Sequence, residues 1–227
     1  MAGADSALRA RAAAVDLLAL DVDGTLTDGR IYIGPQGEAM KAFSVRDGFG
    51  LTLLREAGIR IAIITARRSE IVERRAAELG IEMVLQGVRD KRTALESLCA
   101  QTGIALERTA FAGDDWTDLP AMLACGLAAS VADAAQAVRE RAHWVSTLPA
   151  GAGAIRELAE FILASRGQLQ IALERRLAAS DATAGSDRSS DSARGAVDGP
   201  AAARPSTSKT DRNVGSPDSR SAEHDRQ

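Results

Sequence analysis

Cysteine is nearly absent from this sequence: Cys99 and Cys125 are the only two in 227 residues. So sparse a count excludes a disulfide framework and leads to the expectation of a reducing, cytoplasmic setting. Each cysteine sits in a helix-like segment, where a small buried filler is the expected role. Long apolar runs are lacking too, and none approaches the roughly 18 residues of a membrane span. The short apolar run after Arg9 and Arg11 is broken by Asp16 and Asp21, so neither a signal peptide nor a membrane partner is expected. An excess of one charge is also missing. The net charge of −3 gives no reason to expect a nucleic-acid partner.

The absences are not spread evenly. After Leu177 there is no Leu, Ile, Met or aromatic residue, and the stretch holds three of the six prolines. Such a segment cannot bury enough apolar surface to offset the entropy of ordering it. Residues 178–227 are therefore expected to be a disordered tail, and residues 1–14 an N-terminal extension. That leaves residues 15–177, enough for one well-buried core.

What is present alternates. Strands are expected over residues 15–20, 59–64, 83–85, 108–112, 127–131 and 143–145. Helices are expected over 48–57, from Ser69 to Gly80, and over 91–101, 119–124, 134–141 and 154–177, the last with a break at Gly167. A hairpin turning at Gly34-Pro35-Gln36-Gly37 joins residues 30–33 to 38–43. Strands alternating with helices of this length imply a doubly wound, Rossmann-like parallel sheet with helices on both faces. Functional side chains belong beyond the carboxyl ends of its strands.

Four strand ends carry reactive residues. Asp21-Val22-Asp23-Gly24-Thr25 follows the first strand, and side chains at i and i+2 share one side. Asp21 and Asp23 together repel, so they call for a cation or a shared proton. Alone, the motif also admits a reading as an Asp-Gly turn with two solvated acids. Thr65 ends the strand after Ile63-Ile64, and Lys91 opens a helix. Gly113-Asp114-Asp115-Trp116-Thr117-Asp118 follows the strand ending Phe111-Ala112. Taken singly, Thr65 is a strand-end hydroxyl, Lys91 a solvated surface charge, Asp115 a helix N-cap and Asp118 a first-turn acid. In a doubly wound sheet the four ends converge on one crevice.

This ordered set resembles the haloacid dehalogenase superfamily of phosphohydrolases. The resemblance implies that Asp21 attacks phosphorus to form an aspartyl-phosphate and that Asp23 is the acid and base. It places Mg²⁺ on Asp21, the Asp23 backbone carbonyl and Asp114. Thr65 and Lys91 would hold the phosphoryl oxygens, with Asp115 and Asp118 orienting metal waters or Lys91. No gap between the motifs holds a large cap domain, so the hairpin is at best a small flap. Its apolar face (Ile31, Ile33, Phe43) packs either on its own domain or on another copy.

At a finer level the chain is similar to the 3-deoxy-D-manno-octulosonate 8-phosphate phosphatase family. The residues that carry this are 23–29, Phe43-Ser44-Val45-Arg46-Asp47-Gly48, Ile64-Thr65-Ala66-Arg67, Gln86-Gly87 with Lys91, and Gly113-Asp114-Asp115 with Asp118, Pro120 and Met122. Gly151-Ala152-Gly153-Ala154-Ile155-Arg156-Glu157 adds to them. That resemblance implies a cytoplasmic homotetramer acting on a small sugar acid phosphate in lipopolysaccharide biosynthesis. A nine-carbon, neuraminate-type substrate and a non-catalytic oligomerisation module are the alternatives. Arg46, Asp47 and Arg67 are the charges placed near the sugar acid, since Arg grips a carboxylate bidentately. Each could instead be a surface charge or part of a structural ion pair. Ala66 stands where the family often has Gly, and Thr25 where this subfamily commonly has Val. In some relatives the C-terminal segment reaches a neighbour's active site, a role that here would fall to residues 167–177. Deleting residues 178–227 is expected to leave turnover unchanged in a steady-state phosphate-release assay, and a large loss would give the tail a function.

Overall fold

The protein, analysed as a computed structural model, is described here over residues 2–178. The stretch expected to be a disordered tail lies, from residue 179 on, outside the described residues. Among the described residues, eight strands and seven helices are laid down in the order α1 (Ala2–Ala13), β1 (Leu17–Leu20), β2 (Tyr32–Gly34), β3 (Gly37–Met40), α2 (Val45–Glu56), β4 (Arg60–Thr65), α3 (Glu70–Glu78), β5 (Met83–Gln86), α4 (Lys91–Thr102), β6 (Thr109–Ala112), α5 (Leu119–Ala124), β7 (Leu127–Ser130), α6 (Gln136–Arg139), β8 (Trp144–Val145) and α7 (Ala154–Ser165). A further helix, α8, covers residues 169–178.

Six strands form one all-parallel sheet in the order β5-β4-β1-β6-β7-β8. Both faces are covered, as the alternation of elements requires. Along β1, Leu18 and Leu20 enter one apolar cluster with α2, α3 and α7, whereas Leu17 and Ala19 enter a second with α4 and α5. The period-two split of a single strand thus builds two cores. Both cysteines are free and lie in the second core, as fillers. Burial pushes the Cys125 thiol up to about 11, so it carries no thiolate character.

β1 lies between β4 and β6, and the chain leaves it first toward β4 and later returns on the β6 side. The strand order therefore switches direction at the ends of β1 and β6, where open α/β sheets hold their ligands. Register sets the levels there. Leu20 is the partner of both Ile63 and Ala112, so Asp21, Thr65 and Gly113 all emerge just past one line across the sheet.

The hairpin β2–β3 stands apart as a two-stranded antiparallel unit. The two roles weighed for its apolar face divide by residue. Phe43 packs on its own domain, with the Arg75 guanidinium over its ring, while Ile31 and Ile33 stay exposed.

Two local outcomes depart from expectation, and a third agrees with it. The first 14 residues contain α1, which packs through Leu8 and Ala12 and is tied down by Arg11 donating to the Gly126 carbonyl at 2.7 Å. Its Ala- and Arg-rich sequence favours helix, but two anchoring side chains leave almost no periodic signal. Ser69 sits at the N-cap of α3, yet its hydroxyl makes no cap and donates to Glu38 of the hairpin instead. The break at Gly167 is present with φ 67°, and α8 returns to its own chain through Leu169 and Ala172.

Asp47 is a joint of the fold. It is buried in the first turn of α2, and its two carboxylate oxygens accept from the backbone N–H groups of Gly153 (3.2 Å) and Arg156 (2.8 Å). Those are unsatisfied donors at the start of α7. Burial raises the Asp47 carboxyl above its ordinary range, and the backbone donors oppose that rise. Asp47→Ala is expected to destabilise the protein by about 2 kcal/mol, the scale of a lost cap plus stranded buried donors. The urea midpoint measures this, and Asp47→Asn, which keeps one acceptor, is expected to lose less.

Candidate active site

The crevice begins with a sharp turn. After Asp21, the backbone N–H groups of Thr25, Leu26 and Thr27 all converge on the Val22 carbonyl. Gly24 makes this possible twice over. Its φ of 93° suits glycine, and a Cβ there would overlap the Asp114 carboxylate. Thr25, fully buried, donates its hydroxyl to Asp114 Oδ1 at 3.0 Å. The β1 turn and the β6 turn are thereby joined across the sheet.

Asp21, Asp114 and Asp118 each place a carboxylate oxygen within 4.8 Å of the others'. Lys91 reaches them from the first position of α4, donating to Asp21 Oδ1 and to Asp118 Oδ1 at 2.6 Å each. Read alone, Lys91 was expected on the surface, but its side chain is 3% exposed. Asp118 is used completely. Its second oxygen accepts from the N–H groups of Asp114 and Asp115, which folds the 113–118 loop around it.

Three carboxylates against one ammonium leave two negative charges in a buried space. The titration directions carry the same message. Burial, and then the Asp118 carboxylate, push Asp21 up to about 6, against the lowering by Lys91. Burial and the carboxylates of Asp21 and Asp118 push Asp114 up to about 7. Burial draws the Lys91 ammonium down, but the two carboxylates outweigh it and hold it above its ordinary value. A hard divalent cation with oxygen ligands fits the donor set and the charge deficit.

Asp23 lies in a different cluster. Lys41, at the end of β3, donates to Asp23 Oδ1 and pairs with Glu38 at 3.0 Å. Glu38 also accepts from Arg67 Nη2 at 3.3 Å and from the Ser69 hydroxyl. Arg67 Nε stands 3.7 Å from Asp23 Oδ2.

The structure gathers Asp21, Lys91, Asp114 and Asp118 in one cluster, and Asp23 with Arg67 in the next. Thr65 closes β4, buried, with its hydroxyl in no hydrogen bond among the described residues. The side chains of three expected residues join neither cluster among the described residues. Asp47 is committed to α7, as described above. Asp115 is exposed, and among the described residues its carboxylate accepts only from the Trp116 N–H, while its own N–H donates to Asp118. Arg46 is exposed beside Gly153, on a cleft of about 410 Å³ shared with Thr147 and Arg156. Lys41, Glu38 and Ser69 were not anticipated. The sole signal was that a hairpin of half-exposed strands carries an acid and a base three residues apart.

A model of the haloacid dehalogenase-like hydrolase family matches residues 43–126. The chain is 44% identical over 160 residues to the 3-deoxy-D-manno-octulosonate 8-phosphate phosphatase KdsC of Yersinia pestis, covering 70% of this chain and 86% of that one. It is equally similar to the enzyme of the same name from Escherichia coli K12, with 44% identity over 70% of this chain and 85% of the relative. Among solved structures, the 3-deoxy-D-manno-octulosonate 8-phosphate phosphatase of Moraxella catarrhalis, in complex with magnesium, phosphate and KDO, matches with a TM-score of 0.72. The identity is 40%, covering 74% of this chain and 97% of that one. Among the described residues, no helix is long and apolar enough to cross a membrane.

The raised carboxyls have a consequence for stability. A folded-state value above the unfolded one adds stability that is complete below the unfolded value and lost as pH rises through the folded value. For Asp21 and Asp114 that window runs from about 4 to about 7. Chelated protein is therefore expected to lose on the order of 2 kcal/mol between pH 5 and pH 8 from this cluster. Thermal unfolding with and without Mg²⁺ measures it. Mg²⁺ is expected to raise Tm more at pH 8 than at pH 5, and Asp114→Asn to shrink the difference.

Proposed function

The chain belongs to the haloacid dehalogenase-like hydrolases, among the 3-deoxy-D-manno-octulosonate 8-phosphate phosphatases, and is a Mg²⁺-dependent phosphomonoesterase; from that premise we propose that it releases phosphate from 3-deoxy-D-manno-octulosonate 8-phosphate through an aspartyl-phosphate on Asp21. The observation that carries the reading is the buried cluster of Asp21, Asp114 and Asp118 around one lysine, at the point where the sheet reverses its strand order.

Each residue has a task in two balanced steps. An Asp21 carboxylate oxygen forms a bond to phosphorus as the bond from phosphorus to the sugar oxygen breaks. Asp23 gives its proton to that departing oxygen. A water then attacks the same phosphorus, Asp23 takes the water's proton, and Asp21 leaves as a carboxylate with inorganic phosphate. Lys91, fixed on Asp21 Oδ1, and the Thr65 hydroxyl hold phosphoryl oxygens as charge shifts between them. Asp118 keeps Lys91 in place and shapes the Asp114 loop. Asp21, the Asp23 backbone carbonyl and Asp114 would hold Mg²⁺, which would supply the positive charge that lets a carboxylate approach a phosphate dianion. Arg67, at the crevice beside Asp23, is the residue we assign to the sugar acid.

We extend the reading to a cytoplasmic homotetramer serving lipopolysaccharide assembly. Two free cysteines suit a reducing compartment. The exposed hairpin residues Ile31, Ile33 and Met40 offer a face for another copy.

The test compares 3-deoxy-D-manno-octulosonate 8-phosphate with a nine-carbon neuraminate 9-phosphate at saturating Mg²⁺. The eight-carbon acid is expected to have the higher kcat/KM, and the reverse order would reassign the substrate. Asp21→Asn is expected to lower phosphate release by more than ~10³-fold while circular dichroism stays unchanged. Retained turnover in that variant would remove Asp21 as the nucleophile.

A further inference from the structure

Asp23 has unequal oxygens. Oδ1 accepts from Lys41. Among the described residues Oδ2 is buried without a hydrogen-bond partner, and Arg67 Nε stands 3.7 Å from it. A buried carboxylate oxygen left unpaired is costly, and such atoms call for an explanation. The lysine facing it is equally unusual. Its side chain is 1% exposed, and among the described residues its ammonium touches only Asp23 and Glu38. Glu38 is held in turn by Arg67 and Ser69. Two carboxylates and two cations make this cluster neutral, unlike the cluster around Lys91.

We propose that Lys41 is a positioning residue for proton transfer: by occupying Oδ1 it orients the Asp23 carboxyl and reserves Oδ2 as the oxygen that carries the proton. Lys41 is too enclosed to turn to the substrate without abandoning both partners, so it acts through Asp23. During the first step the Oδ2–H bond breaks, and its proton goes to the sugar oxygen as the P–O bond breaks. During the second, Oδ2 takes a proton from the attacking water. Glu38, placed by β3 three residues before Lys41, fixes the ammonium and so links the hairpin to the chemistry. A carboxyl free to rotate would divide its time between productive and unproductive orientations. The proposal rests on the acid and base role assigned to Asp23 above.

Leaving-group dependence separates this from a merely structural part. The sugar oxygen departs as an alkoxide unless it is protonated, whereas p-nitrophenyl phosphate releases a stable phenolate that needs no proton. On full-length, Mg²⁺-loaded enzyme, kcat/KM reports the first step for both esters. Lys41→Met is expected to lower kcat/KM for the sugar phosphate about 10²-fold, within the range of a general acid's contribution. Its loss on p-nitrophenyl phosphate is expected to be at least tenfold smaller. Lys41→Arg is expected to recover most of the difference, and Glu38→Gln to show the same bias more weakly. Equal losses on both esters, or none on the sugar phosphate, overturn the proposal. Should Lys41→Met fail to fold, Lys41→Arg and Glu38→Gln decide by the same ratio. Asp23→Asn is the control. If it shows the bias and the Lys41 and Glu38 variants do not, only the role of Lys41 falls. If it shows none, the role of Asp23 falls and this proposal with it.

Discussion

The Lys91 ammonium, held between the carboxylates of Asp21 and Asp118, is the contact on which the rest of the crevice depends. It joins the ends of three elements that are far apart in sequence: β1, α4 and the loop before α5. Charges buried this deeply persist only when paired with good geometry, and removing one partner strands the others. Asp118 spends its remaining oxygen on the backbone of the Asp114 loop, so the lysine also determines, through Asp118, where Asp114 stands. The arrangement still falls short by two positive charges. That deficit gives a divalent cation its place and keeps Asp21 and Asp114 easy to protonate without one.

Two residues along the chain, the conditions reverse. Asp23 belongs to a neutral cluster built by the hairpin, with Lys41 and Arg67 matching Asp23 and Glu38. Neighbouring aspartates thus occupy separate electrostatic environments, one short of positive charge and one balanced. Such a division suits a reaction in which one carboxylate bonds to phosphorus beside a cation while the other handles protons. The hairpin, expected at most to be a flap, supplies the second environment. Its Ile31, Ile33 and Met40 side chains meanwhile stay exposed.

Joints of the fold are built from the same chemistry as the site, and this limits what a motif reveals. Arg46 and Asp47 are adjacent and were both placed near the substrate. Asp47 is instead buried against the start of α7, where it satisfies two backbone donors. Its neighbour points elsewhere, to an open cleft beside Gly153. A charged pair in a loop announces that polar partners are needed. It does not say whether those partners are a ligand or the protein's own backbone.

Much of the architecture was legible in the chain itself. Alternating β-branched and helical segments, punctuated by glycine, prescribe a parallel sheet covered on both faces. The acids after β1 and β6, with Lys91 and Thr65 between them, mark where that sheet should be reactive. These signals are local, because strand periodicity, caps and turns depend on residues a few positions apart. The tertiary structure alone decided the partnerships. That Lys91 is buried on Asp21, that Thr25 donates to Asp114, and that Lys41 and Glu38 surround Asp23 all follow from strand order and register, which bring distant residues within hydrogen-bonding reach. Distances of that kind are properties of packing, and no spacing in the sequence encodes them.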